Sequence, residues 1–393
     1  MKTGAVPGRS VSSGAPPDSF RRVREAADRN HIARSYWVVL EATTPAGSAA
    51  GRSSFSRFGE RPPVASFLRN TGILGVLERL RRTSGLLVLN YHRVGEPAGN
   101  QFDDATFSAT AEAFRAQVAY MKRWFRTPPA DEILESLARG SFADPTVLVT
   151  FDDGYRDNYD VAFPVLRDLG VPACFFVVTG LLDAPKLPWW DHAAYALKTT
   201  KAEVFRLDYP ERLTFDLRAT TRSYATWRIL RACKDARPFD ESRFLGELAA
   251  RTGIEIETEL FGRRLFMSWD AVREMARSGM AIGSHTTRHA VLAALSETAQ
   301  RRELEESRDR IGLNLGAHPQ MVAYPVGGPG AFTDVTKRLA REAGYRAAFC
   351  YGRGLNRSSR TDPFAIARVP IEYTETWAQF RARLTFATIW RSL

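Results

Sequence analysis

Val147-Leu148-Val149-Thr150-Phe151-Asp152-Asp153-Gly154 is a largely apolar run that stops at two adjacent acids and a glycine. A short apolar run bounded by a turn signal describes a strand buried on both faces, as in a parallel sheet. Two carboxylates at the end of such a strand are costly unless something holds their charge. A metal ion on one and a proton-transfer role for the other meets that demand. Gly154 lets the chain turn sharply at this point. Read alone, Asp-Asp-Gly is equally an ordinary surface turn.

Similar runs recur on both sides of this stretch. Candidate strands are Leu86–Tyr91, Val147–Phe151, Ala173–Val178, Ala281–Ser284, Met321–Tyr324, Arg346–Cys350 and Ala365–Val369. Helical patterns lie between them around 111–125, 159–169, 269–278, 297–315 and 332–343. Seven strand-and-helix units in about 300 residues predict a closed or nearly closed α/β barrel. The stretch 186–265 breaks the rhythm, being long, charged and partly helical, and reads as an insertion that forms a wall or lid of a cleft. Residues 1–62 are rich in Ser, Gly, Ala, Pro and Arg without a sustained period, and read as a disordered basic arm ahead of a domain over 63–393. From Val64 to Arg82 apolar residues recur at helical spacing, which predicts an amphipathic helix leading into the domain.

Two further turns carry chemistry. Ser284-His285-Thr286-Thr287-Arg288-His289 follows the apolar stretch Met280-Ala281-Ile282-Gly283. Histidines four apart share one face of a helical turn, close enough to bind one metal ion. No Glu follows the first His, so the HExxH route to peptide hydrolysis is not expected. Two of the chain's six histidines fall here, against the blander reading of a chance pair on a solvated turn. Val322-Ala323-Tyr324-Pro325-Val326-Gly327-Gly328 is a strand running into a Pro/Gly turn, whose backbone N–H groups can stabilise an oxyanion.

Together these residues resemble the polysaccharide deacetylase family, carbohydrate esterase family 4. Its first signature is Thr-Phe-Asp-Asp-Gly, its second His-x-x-x-His, and Tyr-Pro-x-Gly is a loose form of its third. The resemblance covers roughly residues 86–370 and implies a distorted (β/α)7 barrel with one divalent metal, usually zinc. It further implies Asp152 as general base and Asp153, His285 and His289 as metal ligands. Tyr324 and Val326 become oxyanion or substrate residues, Val326 through its backbone N–H. The chain departs from the family pattern at three places. Ala323 stands where an Arg is usual, Val326 replaces an aromatic, and no Leu-x-His follows near the C-terminus, the last histidine being His318. Leu89-Asn90-Tyr91-His92-Arg93-Val94 offers a replacement. It resembles the shifted arrangement of the biofilm poly-N-acetylglucosamine deacetylases and makes His92 the catalytic acid, against a core histidine capping the strand end. Arg368, in Ala367-Arg368-Val369-Pro370, is a candidate to pair with Asp152 in place of the missing Arg, against a surface or structural arginine.

Gross composition agrees with an enzyme. The net charge is +11, of which about +6 lies in residues 1–70, so the remainder is unremarkable. There is no nucleic-acid-binding motif, and no nucleic-acid partner is expected. Cys174, Cys233 and Cys350 share no metal or disulfide spacing. No run approaches a membrane span, and Tyr36–Leu40 is too short for the apolar core of a signal peptide, so a cytoplasmic location is expected. Trp189 and Trp190 read as packing residues more readily than as a sugar platform, and His192 and His318 as structural or solvated. The expected function is metal-dependent removal of N-acetyl groups from an amino-sugar polysaccharide or saccharide precursor. Two His and one Asp accept zinc, cobalt, nickel or iron. The rival readings are hydrolysis of a non-sugar amide on the same fold and a carbohydrate-binding relative that has lost catalysis.

Overall fold

The structure, a computed structural model, describes residues 73–79, 84–352, 354–357 and 361–389; the arm expected over 1–62 lies outside them. Seven parallel strands form the centre: β1 (Gly85–Tyr91), β2 (Pro145–Phe151), β3 (Ala173–Val177), β4 (Ala281–Ser284), β5 (Met321–Ala323), β6 (Ala347–Tyr351) and β7 (Ile366–Pro370). Each strand pairs with the next, and β7 returns to β1, with Val88 opposite Arg368, so the sheet closes into a barrel. This is the (β/α)7 barrel expected from the strand-and-helix rhythm, and every barrel strand lies within two residues of its expected bounds.

Closure explains why the strands read as unbroken apolar runs. Alternate residues face inward and outward, and both sides are dry. Leu86, Val88, Leu148, Phe176, Ala323 and Phe349 fill one cluster. Leu87, Leu89, Val147, Val149, Phe175 and Val177 pack outward in another, together with helix Ala111–Trp124. Continuing the inward parity to the C-terminal ends brings up Asn90, Thr150, Asp152 and Arg368, all fully or almost fully buried. Apolar layers therefore fill the lower barrel, and polar groups crown it.

The long break between β3 and β4 folds around a centre of its own. Helices Trp189–Thr199, Arg222–Asp235 and Glu241–Thr252 pack on an antiparallel hairpin, Val204–Leu207 with Leu213–Asp216, while helix Thr258–Leu265 packs through Leu265 in a separate cluster with Tyr155 and Val178. Leu197, Phe205, Phe215, Ile229 and Phe244 form its core. The chain then returns through helix Trp269–Arg277 to β4. Of the amphipathic stretch expected over 64–82, Ile73–Arg79 is described and is helical. Its Leu74 is buried against Ala378 and Ala382 of the C-terminal helix Trp377–Ile389. Among the described residues no helix is long and apolar enough to cross a membrane.

Candidate active site

The chemistry-bearing residues gather where the strands end. His92 follows β1, Asp152 and Asp153 follow β2, His285 and His289 follow β4, and Val326 follows β5. In a parallel α/β barrel this rim is where loops from every strand converge.

Consecutive residues of an extended strand point to opposite faces, so Asp152 and Asp153 would not ordinarily share a cavity. Asp153 adopts φ 72° and Gly154 φ 83°, and this left-handed turn swings the second carboxylate back to the side of the first. His285 Nε2 then lies 3.8 Å from Asp152 Oδ2 and 3.6 Å from Asp153 Oδ1. Among the described residues the positive-φ non-glycines are Asp153, Thr286, His289 and Val326, all in these rim loops. Backbone strain of this kind persists where surrounding structure enforces it, typically at functional sites.

The His-x-x-x-His pair reaches the site by a different route from the one expected. It is not on a helical face. The chain leaves β4 as an irregular loop with Thr286 at φ 66° and His289 at φ 59°. Local capping holds the loop: Thr286 N–H donates to Ser284 Oγ at 3.1 Å and His289 N–H to Thr286 Oγ1 at 3.2 Å. Buried Glu303, on helix Glu297–Leu315, accepts the Thr287 and Arg288 backbone N–H groups at 3.0 and 2.9 Å. His285 Nδ1 sits 2.8 Å from the Ala323 carbonyl, an acceptor, so the proton is on Nδ1 and Nε2 presents a lone pair to the cavity. Position 323, where the family usually places an Arg side chain, thus serves through its backbone.

Asp153 Oδ1 is 3.4 Å from His289 Nε2, and the ligating atoms of Asp153, His285 and His289 all lie within 4.8 Å of one another. A tetrahedral centre with bonds of about 2.0–2.2 Å sets neighbouring ligand atoms about 3.3–3.6 Å apart. Asp153 Oδ1 is buried with no hydrogen-bond partner. Burial, and then the Asp152 charge, push the Asp153 carboxyl well above its usual range. Burial likewise holds both imidazoles below theirs. Two neutral imidazoles and a penalised carboxylate around one point are a set of donors fit for a divalent cation.

Asp152 has a different partner. Arg368, itself fully buried, donates from Nη1 to Asp152 Oδ1 at 2.6 Å and from Nη2 to Oδ2 at 2.8 Å. Burial alone would raise the Asp152 carboxyl, but the guanidinium, followed by His285, brings it well below the usual range and keeps it ionised.

His92 stands at the same rim, with Tyr351 Oη 3.5 Å from its Nε2. Burial takes its pKa down to about 4, against a raising effect from Asp152, so the ring is neutral near pH 7. Tyr324 does not face the cavity. Its ring packs outside the barrel on Phe332, and its hydroxyl donates to the Phe364 carbonyl at 3.1 Å, which corrects the expectation that its side chain meets substrate. Val326 holds φ 62° in the turn beyond β5. Trp190 does two jobs: its ring centroid lies 4.8 Å from that of His289, and its Nε1 donates to Tyr155 Oη at 2.8 Å. The insertion thereby walls the loop that carries His285 and His289. His192 is buried in helix Trp189–Thr199, and His318 is exposed near Asp309.

The profile described as "Polysaccharide deacetylase" matches residues 139–207 and 212–348, more than half of the chain. The chain belongs to the polysaccharide deacetylase family. The match carries the acidic pair, the His-x-x-x-His loop and the Val326 turn, whereas His92 and Arg368 lie outside it. The poly-beta-1,6-N-acetyl-D-glucosamine N-deacetylase of Staphylococcus epidermidis is 32% identical over 105 residues, 24% of this chain and 36% of that enzyme. Its counterpart in Escherichia coli strain K12 is 28% identical over 104 residues, 26% of this chain and 15% of that protein. The chain thus spans about a third or less of the length of these relatives. Among solved structures, IcaB from Ammonifex degensii superposes with a TM-score of 0.50 at 21% identity, covering 77% of this chain and 98% of that one. The Streptococcus pyogenes deacetylase PplD gives 0.50 at 18% identity, covering 74% and 94%. These two share the barrel fold of this family member.

Proposed function

We propose that this family member removes N-acetyl groups from an amino-sugar polymer, with the acetamide bond cleaved between Asp152 and His92. The observation that carries the reading is the division of labour in the acidic pair. Arg368 grips Asp152 through both oxygens and keeps it charged, while Asp153 Oδ1 is left without a protein donor beside two imidazoles. A binding protein has no need of an ionised carboxylate held next to a cation site.

A divalent cation on Asp153, His285 and His289 supplies Lewis acidity, lowering the pKa of water and drawing charge from a carbonyl oxygen. Asp152, 3.8 Å from His285 Nε2, is placed to take a proton from water as it adds to the acetyl carbon. The Val326 turn offers backbone N–H to the developing oxyanion. His92 is the group on the leaving-amine side. Because it is neutral at rest, its proton is acquired during turnover, from the one that Asp152 removes. Release of acetate leaves a free amino sugar.

Support for a poly-N-acetylglucosamine substrate comes from the named activities of the Staphylococcus and Escherichia relatives and from the position of His92 ahead of the acidic pair. The test is acetate release from β-1,6- and β-1,4-linked N-acetylglucosamine oligomers by zinc- or cobalt-loaded protein. Activity on an oligomer that Asp152→Asn abolishes supports the reading. Hydrolysis of non-sugar amides with no acetate from any oligomer refutes it.

A further inference from the structure

We propose that Asn90 and Tyr351 are positioning residues that fix the orientation and tautomer of the His92 imidazole, as links in a hydrogen-bonded chain that begins at Arg368. The inference rests on the proposed role of His92 as the group serving the leaving amine, and it adds two residues to that reading.

The chain can be followed atom by atom. Arginine has donors and no acceptor. Arg368 Nη1 lies 2.8 Å from Asn90 Oδ1, so that end of the amide is the carbonyl; the flipped amide would set two donors against each other. Asn90 Nδ2 is therefore the end facing Tyr351, and it donates to Oη at 3.0 Å. With its oxygen accepting there, the phenol directs its single proton to its other neighbour, His92 Nε2, at 3.5 Å. Nε2 is then the acceptor, and the neutral ring carries its proton on Nδ1. The last contact is long, and contacts of this type shorten when substrate fills a site.

Three features make the arrangement more than packing. Asn90 is a fully buried amide in an otherwise apolar strand, a placement that costs free energy unless both ends are bonded. Arg368 bonds Asp152 with both terminal nitrogens and Asn90 with one, so the group that holds the base also begins the path to His92. The Arg368 guanidinium further lies 5.7 Å from the Tyr351 ring centroid, which restrains the phenol from its face. The ring gives up a proton only as imidazolium, so Nε2 first takes the proton that Asp152 removes from water and the ring then delivers the one on Nδ1, along that N–H direction. Setting the tautomer in advance aims that direction before the C–N bond breaks.

The decisive variant is Tyr351→Phe, which removes one hydroxyl from the zinc-loaded full chain. In histidine-15N-labelled wild type, His92 is expected to show a protonated Nδ1 and an unprotonated Nε2, and in Tyr351→Phe a mixture of tautomers. Acetate release from N-acetylglucosamine oligomers should lose about tenfold in kcat with KM within about twofold. Hydrolysis of p-nitrophenyl acetate, whose leaving group departs without a proton, should be unchanged and doubles as a control for folding. Tyr351→Phe combined with His92→Gln should be no slower than His92→Gln alone, because both act at one point. An unaltered His92 tautomer in Tyr351→Phe, equal losses on both substrates, or additive losses in the double variant each overturn the proposal. The nitrogen spectrum decides the positioning claim independently of whether His92→Gln shows His92 to be the acid.

Discussion

Arg368 and Asp152, 216 residues apart, meet through two hydrogen bonds of 2.6 and 2.8 Å at the end of the barrel where both are buried. An ion pair removed from water depends on near-ideal geometry, and a parallel two-bond fork provides it. In the metal-assisted chemistry proposed for this site, the pair keeps a carboxylate ionised and fixed in direction beside a cation. Either partner alone would be a liability.

Asp152→Asn should lower acetate release by at least about 10²–10⁴-fold. Metal content, measured by mass spectrometry, should stay at the wild-type level, since Asp153, His285 and His289 are untouched. The variant should also be less stable by on the order of 3–5 kcal/mol, because Arg368 loses its counter-charge. The sign with pH follows from the depressed carboxyl. Its contribution is complete above the unfolded value of about 3.9 and fades as pH falls below it, so the stability gap between wild type and variant should narrow in acid. Full activity in Asp152→Asn rejects its role as base.

His285→Ala should lose metal and activity together, as should the wild type after treatment with a chelator. Zinc or cobalt should restore the chelated wild type and leave the variant inactive. Retention of one bound metal per chain by His285→Ala places the cation elsewhere.

His92 should stay neutral over a wide range. Burial takes its pKa down to about 4, and a bound cation can only lower it further, so its imidazole resonances should not titrate between about pH 8 and 5. Protonation should begin only as pH approaches 4. A titration midpoint near 6.5 in the folded, metal-loaded protein contradicts the neutral resting state and the proton path derived from it.

Glu303 braces the loop that carries two of the three proposed metal ligands. It receives Thr287 N–H, Arg288 N–H and Arg288 Nε, the last at 2.6 Å, and so ties down the loop between the two histidines. Glu303→Ala should weaken zinc binding by about 10–100-fold in a competition titration, with Asp152 and Arg368 undisturbed. Gly180→Ala attacks the same loop from the other side, since an added Cβ would stand 2.5 Å from the Thr287 carbonyl oxygen. Unchanged zinc affinity in both variants refutes the claim that loop geometry sets metal binding.

The amino-acid sequence by itself determined the barrel and the addresses of its chemistry. Runs such as Val147–Phe151 and Leu86–Tyr91 are apolar on both faces because a closed parallel sheet is covered on both, and that pattern is local. The acidic pair and the two histidines announced themselves because each directly follows an apolar run, and two of the chain's six histidines fall four apart. Only the tertiary structure decided how these groups meet. The reversal of Asp153 at φ 72°, the irregular loop that replaces a helical face under His285 and His289, and the outward turn of Tyr324 are set by neighbours distant in sequence. Asn90 was visible as a lone amide in an apolar strand, yet its partners Arg368 and Tyr351 lie more than 250 residues away. Hydrophobic period is written into successive residues, whereas hydrogen bonds and charge pairs are satisfied through space, after the barrel has closed.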